Sequence, residues 1–381
     1  MTPDRTGLRS YRLNRESELF VNDRALLDDL TTLTCDLVAI PSVADRPDQL
    51  QAVIDYAERY ARDIPGLHIH RTDSAGKPSM VVTLRDTRAP AVMLNAHLDV
   101  VPARPEQFGP TVRDGRIYGR GSQDMKGSGA VLLRLMKDLA TLAVPPDVGF
   151  MFVSDEELGG EDGTGHLLGE GWRCGFFLAA EPTDMDICFA QKGCMWVEVR
   201  LLGRPAHGSR PWDGRNAIAA LREGLAAMER RYPTPDEDTW ITTVVPTIVS
   251  GGEVGNRLPE SVVLTLDIRH LPEEQPEQIV AALQDCYPGG EVRLIRTGSP
   301  LATDPQDAQV GRLADRVAAV TGRPVRLYRE HFASDARFYS DVGIPAVCFG
   351  PTGAGLHSDE EWVEVASLGR LYEVLQRFVS A

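Results

Sequence analysis

The sequence predicts an α/β fold: a central mixed, largely parallel sheet flanked by helices, with an inserted ferredoxin-like α+β domain. Three observations lead there. Short apolar runs suited to buried strands alternate with helical stretches over the first 190 residues. Near Gln191 the order becomes β-α-β-β-α-β, that of a ferredoxin-like unit. After residue 300 the first texture returns.

The elements follow in order. Helical spacing of apolar positions marks 24–38 and 47–62. Val81–Leu84 and Ala91–Leu94 are strand runs, 126–140 is a helix, and Val148–Val153 and Phe176–Ala180 are further buried strands. Met195–Leu202 then reads as a strand, and Ile218, Leu221, Leu225 and Met228 carry helical spacing across 214–230. Ile241–Val249 and Val262–Ile268 are strands, 273–286 is a helix with Pro276 in its first turn, and Val292–Ile295 is a strand. Helix 307–320, strands Val325–Tyr328 and Pro345–Phe349, and helix 365–379 close the chain. One domain of residues 1–190 and 298–381 is thus expected to be interrupted by a second, 191–297, with hinges near 191 and 298. The first 20 residues carry no assignable role.

Composition narrows the function. A chain of 381 residues suits about two to three domains. Its 40 Lys+Arg against 55 Asp+Glu leave a charge of −15, a poor match for nucleic acid or an anionic membrane surface. No apolar run of roughly 18 residues predicts a membrane span, and no apolar segment follows Met1–Arg5 to suggest a secretory signal. Cys35, Cys174, Cys188, Cys194, Cys286 and Cys348 form no C-x-x-C pair, which predicts reduced thiols in a cytoplasmic protein.

Four apolar runs end in metal-ligand residue types. Ala91–Leu94 leads into His97 and Asp99, and Val148–Val153 into Asp155, Glu156 and Glu157. Phe176–Ala180 leads into Glu181, and Pro345–Phe349 leads to His357. Sites in open α/β sheets form at the carboxyl ends of strands, so these four runs converge on one edge. The Gly-rich loop Gly119–Gly127 can bring Asp124 there. Two imidazoles with several carboxylates suit Zn²⁺, Co²⁺ or Mn²⁺, and the lack of thiolates disfavours a closed structural zinc site. His97 and Asp99, two apart on an extended chain, would point the same way. Glu156 and Glu157 would not, so they can divide the roles of ligand and general base. No G-x-S-x-G elbow is present, and Asp124 stands where a dinucleotide loop would need its third glycine.

Assembled, the motifs resemble a known family. They are His97-Leu98-Asp99-Val100-Val101-Pro102, Gly119–Gly127, Asp155-Glu156-Glu157, Glu181-Pro182-Thr183, Leu356-His357-Ser358, and in the insert Gly203–Ser209 and Gly214–Ile218. The family is that of the co-catalytic zinc metallopeptidases and deacylases, which includes acetylornithine deacetylase, succinyl-diaminopimelate desuccinylase, aminoacylase-1 and carboxypeptidase G. The resemblance spans roughly residues 90–365.

It implies two divalent metal ions, with Asp124 bridging them. His97 and Glu181 would complete one site, and Glu157 and His357 the other. Glu156 would be the general base on a water between the metals, with Asp99 supporting His97. The insert would be a lid through which two chains form a homodimer, and His207 of one lid would reach the other chain's oxyanion. Asn256 and Arg269 would contact substrate, Arg269 as a carboxylate clamp. Glu181, where the aminopeptidases carry Asp, points to the deacylase and carboxypeptidase branches. Ser334–Phe338 resembles a segment near the second metal site of desuccinylase-like members. The implied substrates are small N-acyl amino acids or short peptides. The implied reaction is amide hydrolysis of the acetylornithine-deacetylase type, with a dipeptidase, a carboxypeptidase or a non-catalytic binding relative as alternatives.

Overall fold

The computed structural model describes residues 24–380. The reading of the first 20 residues therefore lies outside the described part. The elements in order are α1 (Arg24–Val38), α2 (Pro47–Arg62), β1 (His68–Ser74), β2 (Lys77–Thr83), β3 (Val92–His97), β4 (Thr111–Arg113), β5 (Arg116–Tyr118), α3 (Gly127–Ala140), β6 (Val148–Val153), α4 (Thr164–Gly169), β7 (Phe176–Ala179) and β8 (Ile187–Gln191). There follow β9 (Gly193–Leu202), α5 (Ala217–Arg231), β10 (Thr243–Gly251), β11 (Ser261–His270), α6 (Pro276–Cys286) and β12 (Glu291–Gly298). The chain closes with β13 (Leu301–Ala302), α7 (Ala308–Thr321), β14 (Leu327–Glu330), α8 (Ala336–Asp341), β15 (Ala346–Cys348), β16 (Gly353–Ala354), β17 (Trp362–Glu364) and α9 (Val365–Val379).

Among the described residues, nine strands make the central sheet, in the order β1-β2-β6-β3-β7-β15-β8-β13 with β14 alongside β8. Its middle is parallel: β3 pairs in parallel with both β6 and β7, and β7 with β15. The flanks β1, β2, β8 and β13 pair antiparallel. Every residue of β3, β6, β7 and β15 is buried, as expected for strands covered on both faces. One face packs under α1, α2, α3, α7 and α9 through residues such as Leu30, Ile54, Leu132, Leu313 and Leu371. The other packs under α4 and α8 through Leu167, Phe177 and Tyr339, whose last two rings stack at 4.1 Å.

A separate antiparallel sheet, β10-β11-β9-β12, carries α5 and α6 on one face. Strand β9 buries Met195, Val197, Val199 and Leu201 against them and turns Trp196, Arg200 and Leu202 outward. That alternation is the period-2 signature of a half-covered sheet. The order is the ferredoxin-like one, and the sheet's separation from the central one marks it as an inserted domain.

The structure differs from the sequence reading in places. Strand β14 begins at Leu327, two residues later than expected, because Arg323 and Arg326 are drawn onto Asp186 before the strand starts. A small sheet, β16-β17-β5-β4, escaped notice because its strands are two or three residues long. Glu156 and Glu157 sit in a tight turn, Glu156–Leu158, and not on an extended strand. Among the described residues, no helix is long and apolar enough to cross a membrane. All six cysteines are free thiols.

Candidate metal centre

The parallel register explains why the site lies where it does. Because β6, β3, β7 and β15 run side by side in one direction, their carboxyl ends share an edge. His97 is the last residue of β3, Glu181 stands two residues past β7, and Glu157 lies in the turn after β6. His357 comes from the loop between β16 and β17, with left-handed backbone at φ 58°. Asp124 sits in the irregular turn Ser122–Lys126 that enters α3.

These five residues come together as two groups that share Asp124: His97, Asp124 and Glu181, and Asp124, Glu157 and His357. In each group the ligand-capable atoms lie within 4.8 Å of one another. His97 Nε2 is 3.0 Å from Asp124 Oδ1, and His357 Nε2 is 3.2 Å from Asp124 Oδ2 and 3.4 Å from Glu157 Oε2. Glu156 belongs to neither group and lines the adjoining cleft.

Buried polar bonds hold the geometry. The Asp99 main-chain carbonyl lies 3.0 Å from His97 Nδ1, whereas the Asp99 carboxylate is 3.6 Å from it. That carboxylate instead accepts the backbone N–H groups of Glu156 and Glu157, at 3.3 and 3.1 Å. Asp99 therefore orients His97 through its backbone and organises the Glu156–Leu158 turn through its side chain. Glu361 does the same for the Asp124 loop. Its carboxylate accepts N–H from Gly121, Gln123 and Asp124 and pairs with the buried Arg120 at 2.5 Å. Sequence reasoning missed this pair, since Glu360-Glu361 looks like any solvated acidic dipeptide.

The electrostatics report a deficit of positive charge. Burial pushes the Glu181 carboxyl up to about 8, only partly offset by His97. Burial likewise holds Glu156 well above the usual carboxylate range and pushes Asp335 up to about 6. Hydrogen bonds to Asp124 and Glu157 push His357 up to about 10. Burial disfavours the imidazolium of His97, yet the nearby carboxylates of Asp124 and, at 3.6 Å, Asp99 outweigh that and raise it. Burial also opposes the Asp124 carboxylate, but hydrogen bonds from both histidines hold it well below its ordinary value. Among the described residues, buried Glu181 Oε1 has no hydrogen-bond partner. A buried acceptor without a donor, among crowded carboxylates and two imidazoles, fits a pair of divalent cations.

The cleft beside these groups has a volume of about 470 Å³. One wall is Glu156, Glu157 and His357, and the facing wall comes from the four-stranded sheet, with Trp196, Arg269 and Arg296. Arg269 lies in this cleft, where Asp267 takes its Nε and Nη2 at 2.9 and 3.2 Å. Among the described residues lining the cleft, neither His207 nor Asn256 is found. Those two meet elsewhere: the Asn256 carbonyl accepts the Gly208 N–H at 2.7 Å, beside an exposed His207. The backbone N–H of Ser209 donates to His207 Nδ1, so a neutral ring carries its proton on Nε2.

Comparison with known proteins follows the same lines. The family model described as Peptidase family M20/M25/M40 matches residues 93–381. A succinyl-diaminopimelate desuccinylase of Leptothrix cholodnii is 30% identical over 318 residues, covering 77% of this chain and 82% of the relative. Another, from Xylella fastidiosa, is 27% identical over 378 residues, covering 93% and 98%. Among solved structures, the aminopeptidase PepT of Bacillus cereus superposes with a TM-score of 0.76 at 20% identity, covering 93% of this chain and 98% of that one. A metallo-carboxypeptidase of Sulfolobus solfataricus gives 0.75 at 16%, covering 92% and 98%.

Proposed function

The chain belongs to peptidase family M20/M25/M40 and is a metal-dependent hydrolase of amides; from this premise we propose that it deacylates N-acyl amino acids, with Glu156 as general base. The observation that carries the reading is the pair of ligand groups sharing Asp124, with Glu156 beside them and outside both. The desuccinylase relatives favour acyl removal over peptide cleavage.

In this reading His97, Asp124 and Glu181 hold one zinc ion, and Asp124, Glu157 and His357 the other. When bound, such a pair polarises the scissile carbonyl and acidifies water. Glu156 takes a proton from the attacking water and returns it to the amine nitrogen as the C–N bond breaks. The products are a carboxylate and a free amino group. Burial of Glu156 suits this role, since a carboxyl raised above its usual range is a stronger base toward the attacking water. Arg269 keeps Nη1 free of Asp267 and offers it to the α-carboxylate of the substrate.

His207 and Asn256 lie away from the cleft of their own chain. We assign them to the cleft of a second copy, with residues 191–297 as the dimerising lid. There the partner subunit's His207 would donate from Nε2 to the developing oxyanion. The free thiols are consistent with a cytoplasmic location.

The test is hydrolysis, by zinc- or cobalt-loaded protein, of N-acetyl, N-succinyl and longer N-acyl amino acids beside dipeptides, read by mass spectrometry. Cleavage of an acyl series supports deacylation. Cleavage of dipeptides alone, or of nothing, overturns it.

A further inference from the structure

The wall facing the metal ligands is an ordered platform that the reaction above does not consume. Across the outward face of the four-stranded sheet, Asp267 on β11, Trp196 on β9 and Arg296 on β12 stand side by side in register. The Trp196 indole N–H donates to Asp267 Oδ2 at 3.0 Å, which fixes the ring while leaving it 45% exposed. The Arg296 guanidinium lies 5.7 Å from the centre of that ring. It also donates from Nη2 to the Leu158 carbonyl at 2.8 Å, the last residue of the turn that carries Glu156 and Glu157.

A bulge puts Arg296 there. The β12 register slips between Leu294 and Arg296, so Arg296 opposes Trp196 where unbroken pairing would place Ile295. Bulges re-aim side chains in this way. Room is made for it: Gly159 has φ 107°, and a side chain there would collide with the Arg296 guanidinium.

Three guanidinium groups line the cleft, and their partners differ. Arg269 is forked by Asp267. Arg337 pairs with Glu161 at 3.1 Å. Arg296 has no carboxylate partner among the described residues; its contacts are a carbonyl and a ring. A guanidinium set over an exposed indole suits an anion at the end of a short apolar chain. The methylenes pack on the ring and the carboxylate meets the fork.

We propose that Arg296 with Trp196 forms a subsite for a second carboxylate of the substrate, in addition to its α-carboxylate. This rests on the deacylase reading and adds the substrate class: amides that carry two carboxylates. The second one could end the acyl group or the amino-acid side chain.

Calorimetry on zinc-loaded Glu156→Ala protein separates these, because binding is read without turnover. Two matched pairs serve: N-succinyl-leucine against N-butanoyl-leucine, and N-acetylglutamate against N-acetylglutamine. In at least one pair the dicarboxylate should bind about tenfold tighter or more, the scale of one charged hydrogen bond. Preference in the first pair places the carboxylate on the acyl group, and in the second on the side chain. Adding Arg296→Gln should bring the ratio near one, and Arg296→Lys should restore part of it. If Arg296 only braced the Glu156 turn, its loss would weaken both members of a pair alike and leave the ratio intact. Equal binding within both pairs, an unchanged ratio in Arg296→Gln, or no measurable binding of any of the four overturns the subsite. A silent turnover panel with the binding ratio intact would instead overturn deacylation alone.

Discussion

The two walls of the cleft are built by opposite means. On one, His97 and Glu181 are nearly inaccessible, at 1% and 6% exposure, and are fixed by the ends of buried parallel strands. On the other, Trp196 and Arg296 stand on the open face of an antiparallel sheet, fixed by cross-strand neighbours and one bulge. Acids crowd the first wall, while guanidinium groups mark the second. Rigid burial suits ligands that must hold still against mutual repulsion. An open sheet face can change its side chains at little cost to folding. On the proposed reading, the first wall would carry the chemistry and the second the selection.

The strongest way to break that contrast is Asp124→Asn. Since Asp124 is common to both ligand groups, metal analysis should find both ions lost, and activity with them. Retention of one full equivalent would mean the groups are independent. Glu156→Ala should cut turnover by about 10²–10⁴, the range for a general base, with metal content near wild type. Loss of metal would exchange the roles of Glu156 and Glu157.

His207→Ala should lower kcat by about 10²–10³, as for one oxyanion donor. Mixing it with Glu156→Ala should restore some activity through hybrid dimers. No restoration, once subunit exchange is demonstrated, would sink the trans assignment.

Two stability effects sharpen the picture of the buried wall. Glu361→Gln leaves Arg120 buried without its carboxylate and should cost about 3–5 kcal/mol, read by denaturant unfolding. A smaller effect comes from chelation. In the metal-free chain Glu181 keeps its proton up to about 8, while unfolded it ionises near its ordinary value. The folded form then binds more protons across that window, so its stability should fall as pH rises from about 5 to about 8. Thermal melts with and without zinc check this, since bound metal should flatten the slope.

The first wall was legible because its residues follow apolar runs. His97 and Glu181 stand at or just beyond the end of a buried strand, and that adjacency survives in sequence order. Asp99 was legible as a member of the site, but not its division of labour between carbonyl and carboxylate, which depends on the turn at Glu156–Leu158. The second wall was illegible, apart from Arg269. Trp196 reads as one aromatic in a strand, and Arg296 reaches the cleft only because β12 slips by a residue, an event that leaves no mark in composition or spacing. The short sheet through β5 and β17 was hidden because two or three residues cannot display a period.

The contact between Arg120 and Glu361 spans 241 positions. Glu361 lies 237 positions beyond Asp124, yet it anchors the backbone of the Asp124 loop. During synthesis the strand bearing His97 and the turn bearing Glu156 can emerge and pack first. The loop that joins the two ligand groups cannot be held in place until Glu361 is available. A chain cut before Glu361 should therefore lack the contacts that hold the Asp124 loop, so the two ligand groups could be joined only after synthesis has passed Glu361.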